Sequence, residues 1–143
     1  MNSTIQNKFI NSKIYKITTP LSNLIYIGST REKIERRLQL HKSQYKIYKN
    51  GGSRKVMVYN LLDLGIENIE IELIENYICN SLYELHKRER YYIELYKDIS
   101  INKCIPTRTV KEYYELNKKI LYEKIKMKKL NNQASSVSHT LER

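Results

Sequence analysis

The sequence predicts an α+β domain in which a β-hairpin and a third strand lie among helices, followed by a basic helical tail. Three observations predict it. Two β-rich runs, 13–17 and 24–30, flank a segment whose Pro20, Ser22 and Asn23 are turn formers, so the pair reads as a hairpin. Residues 67–78 set Ile69, Ile71 and Leu73 against Glu70, Glu72 and Ile74, the period-two pattern of a strand, antiparallel or mixed with the hairpin. Elsewhere the apolar residues recur at helical spacing. The chain of 143 residues suffices for one small domain at 11–106, a helical tail at 107–130 and a polar, disordered end at 131–143.

Residues 1–12 carry Phe9 and Ile10 as their hydrophobic pair and lead into the hairpin, the first few expected without order. Alternation along a strand puts Tyr15 in phase with Lys13 and Ile17, and Tyr26 in phase with Leu24 and Gly28. Pairing that is symmetric about a loop of several residues brings the two tyrosines near each other on one face. Ser29 or Thr30 can cap the next helix, whose stripe is Ile34, Leu38, His41, Tyr45 and Tyr48. Arg37 and His41 share one side of it, at the edge of the stripe. Asn50-Gly51-Gly52-Ser53 ends that helix. A short helix over 54–64 turns Val56, Met57, Leu61 and Leu64 inward and stops at Gly65.

Ser81-Leu82-Tyr83-Glu84 is a capping box that opens a helix with Leu82, Leu85, Glu89, Tyr92, Ile93 and Tyr96 inward. Glu89 is anomalous on this stripe, because burying an unpaired carboxylate is costly. It pairs with a cation such as Arg37, lies at a frayed rim, or ligates a divalent metal. Thr109-Val110-Lys111-Glu112 is a second capping box. It opens a last helix to about Leu130 with a partial apolar stripe and many lysines, among them Lys118 and Lys119. Such a helix suits contact with phosphates.

The formal net charge is +11 and the isoelectric point about 9.6, which favours a polyanionic partner. No run has the length of a membrane-spanning helix and the N-terminus has no signal-peptide core, so a membrane is the weaker partner. Cys79 and Cys104 stand without metal-ligand spacing or a disulfide framework, which fits a reducing, intracellular compartment, cytoplasm or nucleus.

A tyrosine-bearing strand, a turn and then Tyr26-Ile27-Gly28-Ser29-Thr30 resembles the GIY-YIG nuclease family, with Lys13-Ile14-Tyr15 where Gly-Ile-Tyr is usual. Further positions follow the family's order. Arg37 and His41 lie four apart on the helix after the second motif, Glu89 opens Glu89-Arg90-Tyr91-Tyr92-Ile93, and Asn102 follows in a loop. The resemblance covers residues 13–103 and implies a three-stranded antiparallel sheet flanked by helices, with metal-dependent DNA endonuclease activity.

By that resemblance Glu89 holds Mg²⁺ or Mn²⁺, and a single carboxylate argues for a single ion. Arg37 presents its fork to the scissile phosphate. Tyr15, in preference to Tyr26, deprotonates or orients the attacking water, and His41 hydrogen-bonds the tyrosine or shuttles its proton. A phenol with an ordinary pKa near 10 is a weak base, so Arg37, Lys13 and the metal are expected to lower it. Lys13, Gly28, Ser29, Arg36, Asn102, Lys118 and Lys119 are the candidate nucleic-acid contacts. One such site cuts one strand, so a double-strand cut needs a second molecule or a second visit. With no separate recognition domain visible, low selectivity or a separate targeting partner is expected. A non-catalytic nucleic-acid-binding module is the alternative.

Overall fold

A computed structural model describes residues 5–141, with side chains through Ser136. The expectations for the first four and last two residues lie outside it. The chain divides into two compact units, one ending at Thr107 and the other beginning at Arg108.

In the first unit, β1 (Lys13–Thr19), β2 (Ser22–Thr30) and β3 (Glu70–Asn76) form an antiparallel sheet in the order β2-β1-β3. β1 is central because both its faces are apolar: Ile14, Tyr15 and Ile17 are all 0% exposed. Each fully buried isoleucine contributes roughly 1.5–3 kcal/mol of transfer free energy. Tyr15 and Ile17 face a cluster with Val58, Tyr59, Leu61, Leu62 and Ile69, flanked by Ile34 and Leu38. These come from α1 (Ile34–Lys49), the single turn α2 (Tyr59–Leu62) and the entry to β3. Ile14, Ile25 and Ile27 face the other way, onto Cys79, Leu85 and Ile93, the last two from α3 (Leu82–Leu95). The sheet is thus covered on both faces, with α1 and α2 on one and α3 on the other.

The edge of β2 is also occupied. The Ile25 amide donates to the Ile99 carbonyl and the Ile101 amide to the Ile25 carbonyl, both at 2.9 Å, forming a short parallel bridge. This covers a strand edge that would otherwise expose unpaired backbone groups.

Several local expectations differ from what forms. Thr19 pairs with Ser22, so the hairpin turn is only Pro20 and Leu21. Thr18 and Thr19 are good strand formers, and Thr19 is buried, which lets β1 run further than turn composition suggests. β2 continues through Thr30, so α1 starts later, with Lys33 at its N-cap and no side-chain cap. Residues 54–64 hold only the turn of α2, burying Val58, Tyr59, Leu61 and Leu62 while Val56 and Leu64 are exposed. β3 is shorter than residues 67–78, and Ile66–Asn68 is a 3₁₀ turn. A bulge opposite Ile14 and Tyr15 pairs Glu75 with Ile14, so Glu75 joins Ile74 on the side of α3, where Arg88 and Tyr92 bond it, and strict alternation breaks there; Leu73 is exposed. Leu82 is exposed at the start of α3.

The second unit is one helix, α4 (Val110–Leu141). Its capping box closes as expected: Thr109 N donates to Glu112 Oε2 at 2.7 Å, and Glu112 N donates to Thr109 Oγ1 at 3.1 Å. The helix continues past Leu130, through residues 131–141 assigned from sequence to a disordered end. That stretch holds no glycine or proline to stop a helix, and polarity alone does not end one. Among the described residues no helix is long and apolar enough to cross a membrane.

Candidate active site

The register Tyr15↔Gly28 and Ile17↔Tyr26 puts the two tyrosines diagonally on the sheet face toward α1. There α1 delivers Arg37 and His41 from successive turns. The Tyr15 hydroxyl lies 2.7 Å from His41 Nε2, and Arg37 Nε donates to the same oxygen at 3.1 Å. Because a guanidinium can only donate, the phenol accepts from Arg37 and directs its own proton at His41 Nε2. His41 then accepts as neutral imidazole. Burial, and next the charge of Arg37, lower its pKa to about 4. The Tyr26 ring meets His41 edge-on at 5.8 Å between centroids.

Tyr15 does not behave as its cationic setting suggests. Burial pushes its pKa above the ordinary tyrosine value despite the opposing pull of Arg37. Burial raises Tyr26 as well. Arg37 alone does not lower it, because desolvation of a fully enclosed phenolate outweighs one adjacent guanidinium. Lys13 gives no help, since its ammonium donates to the Asn11 carbonyl at 2.7 Å. That fold-back also keeps Lys13 from crowding Tyr15.

Gly28 is where backbone must yield to a side chain. A Cβ there would collide with the Tyr15 hydroxyl and ring tip. Gly28→Ala is expected to displace Tyr15 from His41 and Arg37, lowering stability by about 1–3 kcal/mol and cleavage by roughly 10²-fold. Denaturant melts and single-turnover kinetics check both, and Tyr15→Phe in the same background should add little further loss.

From the opposite face α3 brings Glu89 to the β2 edge, where Ser29 Oγ donates to Oε2 at 2.5 Å. Ser29 therefore holds the carboxylate, a role its place in the sequence does not disclose. Burial raises the Glu89 pKa, opposed by the Ser29 bond and then by the charges of His86 and Arg37. Among the described residues no ion pair reaches Glu89, so pairing with Arg37 is not what accommodates it. Asn102 is committed to backbone: its Oδ1 accepts from Ile27 N at 2.9 Å and its Nδ2 donates to Ile27 O at 2.8 Å. It pins the loop against β2 and leaves its amide little capacity for a nucleic acid. Arg36 lies exposed on α1, and Lys118 and Lys119 lie exposed on α4.

Glu89 opens into a cleft of about 540 Å³, lined also by Tyr26, Lys55, His86, Lys103 and Cys104. Of these, His86 went unread, although its place one turn before Glu89 on the same face of α3 is the signal that could have found it. Lys55 and Lys103 come from loops and carry no signal. Cys79 is buried and Cys104 exposed, both as free thiols. A hard divalent cation fits this site. Glu89 is a desolvated carboxylate that no cation pairs with directly among the described residues, and Ser29 engages it through Oε2. No group of three or more His, Cys, Asp or Glu encloses a metal among the described residues. An ion here would keep most of its water, as Mg²⁺ does.

The lowered His41 pKa has a measurable consequence. An imidazole whose folded pKa is depressed adds stability that is fully present above about 6.5 and is lost as pH falls toward about 4. The range corresponds to roughly 3 kcal/mol. Urea melts between those limits should show this loss, and His41→Gln should flatten it.

Comparison with known proteins identifies the domain and its fold. A family model described as the GIY-YIG catalytic domain matches residues 11–103. The fold is similar to a solved mutant of the catalytic domain of intron endonuclease I-TevI, at 22% identity and a TM-score of 0.52, covering 68% of this chain and 98% of that one. No curated protein matches. With the family's domain spanning most of its length, the chain belongs to the GIY-YIG family of endonucleases.

Proposed function

We propose that this chain is a divalent-metal-dependent DNA endonuclease in which Tyr15 is the general base and His41 its proton acceptor. The observation that carries this reading is the Tyr15 hydroxyl held between Arg37 Nε and His41 Nε2. Because the resting phenol is protonated, it cannot act as a stored phenolate. As water attacks phosphorus its proton passes to Tyr15 Oη, while the Tyr15 proton passes to His41 Nε2. The low resting pKa leaves His41 neutral with Nε2 free of a proton, and it makes the transfer uphill until the negative charge of the bound phosphate stabilises the imidazolium.

Arg37 donates to the phenol through Nε, and its terminal nitrogens reach a phosphoryl oxygen. Glu89, oriented by Ser29, would hold Mg²⁺ or Mn²⁺, which supplies charge neutralisation at the phosphate and at the leaving oxygen. Lys13, Arg36, Lys118 and Lys119 add salt-sensitive affinity for the DNA backbone. Gly28 makes room for the Tyr15 hydroxyl and ring tip beside the site. Ser29 and Asn102 act by holding the site together. One site cuts one strand, so a double-strand cut takes two molecules or two visits, and target choice calls for a separate partner. Supercoiled plasmid tests the reading: Mg²⁺ should give nicked product and EDTA none. Binding without nicking, alike in wild type and Glu89→Ala, would leave a nucleic-acid-binding module.

A further inference from the structure

α4 lies outside the family match and carries a pattern that cleavage does not use. Tyr113, Leu116, Ile120, Met127, Leu130 and Ala134 fall on the first and fourth positions of a seven-residue repeat, with Glu123 the one charged member. That spacing is the seam of a coiled coil, and it continues across three heptads. The five large apolar side chains of the seam are between 46% and 65% exposed. A helix presenting such a face in water gains little from propensity alone and is stabilised chiefly by packing that face.

The flanks of the seam identify what can pack there. Lys119 and Lys126 occupy one flanking position of the repeat and Lys124 the other, beside neutral Asn117, Asn131 and Gln133. The acidic residue among the flanks, Glu112, is engaged in the N-terminal capping box. A second copy laid parallel would set lysine against lysine and Glu123 against its own counterpart. An antiparallel copy also opposes like flanks. Like-charge juxtapositions of this kind cost several kcal/mol across an interface. DNA would satisfy the lysines but would leave the apolar seam wet and repel Glu123.

We propose that the seam of α4 binds an amphipathic helix of a partner protein, acidic along its flanks and basic opposite Glu123. The lysines then meet carboxylates, Glu123 meets a cation, and the apolar residues are covered along the helix. The lysines on the far side of α4, Lys111, Lys118, Lys128 and Lys129, lie away from this seam and stay open to phosphate, while Lys119 exchanges phosphate for carboxylate when the partner helix docks. The inference stands apart from the chemistry at Tyr15 and Glu89.

The full chain and two fluorescent synthetic helices of matched length test it. Both helices carry an isoleucine and leucine seam with lysine opposite Glu123; one has glutamates at its flanks and the other lysines. Fluorescence anisotropy should show the acidic helix binding at least about tenfold tighter. Lys124→Glu with Lys126→Glu should invert that preference, which a folding defect cannot do. Ile120→Asp with Met127→Asp should abolish binding while circular dichroism reports unchanged helix content. The proposal is overturned by equal or absent binding, by binding that survives loss of the seam, or by sedimentation showing that α4 pairs two copies. Complete displacement of the acidic helix by a short DNA duplex overturns it too.

Discussion

Replacing Tyr15 with phenylalanine is expected to lower the cleavage rate by about 10³-fold, within the range by which positioned acid–base groups act, while DNA affinity stays nearly unchanged. The substitution keeps the ring that fills the core between the sheet and α1. It removes the one atom that accepts from Arg37 and donates to His41. The water then has no oxygen to take its proton, and His41 has no phenol through which to receive it. Ground-state binding rests on other groups, so the loss falls on kcat and leaves KM close to its original value. A structural cost accompanies it, because a buried imidazole nitrogen loses its partner, at about 1–3 kcal/mol. Tyr26→Phe is the control. Tyr26 meets His41 ring against ring in a T-shaped contact, not through its hydroxyl, so its loss in rate should be much smaller. If the two variants fell equally, the hydroxyls would be acting through packing or substrate contact, and Tyr15 would not be the base.

The residues of this site differ in how far sequence discloses them, and the differences have physical causes. Tyr15, Gly28 and Tyr26 were legible because a strand has period two, so a symmetric hairpin fixes who shares a face. Arg37 and His41 were legible from their four-residue spacing on a helix. Glu89 stood out because a carboxylate on an apolar stripe requires an explanation, and the structure supplies one in the Ser29 bond and an open cleft. The grip of Ser29 on Glu89 was not legible, since it joins residues sixty apart in sequence across the face-to-face packing of β2 and α3. Asn102 was placed by order along the chain, but its use as a backbone clamp depends on the loop docking along β2, which no local pattern encodes. The pull of Arg37 on Tyr15 was legible, but not that burial outweighs it. Sequence names the neighbouring charges but not the depth of burial, and here burial dominates. The bulge that turns Glu75 toward α3 escaped for a related reason, because alternation assumes an unbroken ladder.

Glu89→Gln should separate catalysis from stability more sharply than any other change. Glutamine keeps the shape and an oxygen to accept from Ser29, but has no charge with which to hold a divalent ion. Cleavage should fall by at least about 10³-fold, as when a group that stabilises transition-state charge is removed. Stability should move the other way. Burial raises the folded pKa of Glu89, so the stability attached to this group is complete below the ordinary carboxylate value. It is lost as pH rises through the raised value. At pH 7 the wild type bears the desolvation cost that raises this pKa, and glutamine does not. The variant is therefore expected to be as stable as wild type or more so at neutral pH, with the two curves converging in acid. Mg²⁺ should raise the Tm of the wild type, because an ion that binds only the folded state stabilises it by mass action. It should leave the variant unmoved. A variant that is less stable at pH 7 and still shifts with Mg²⁺ would make Glu89 a structural strut and put the metal elsewhere.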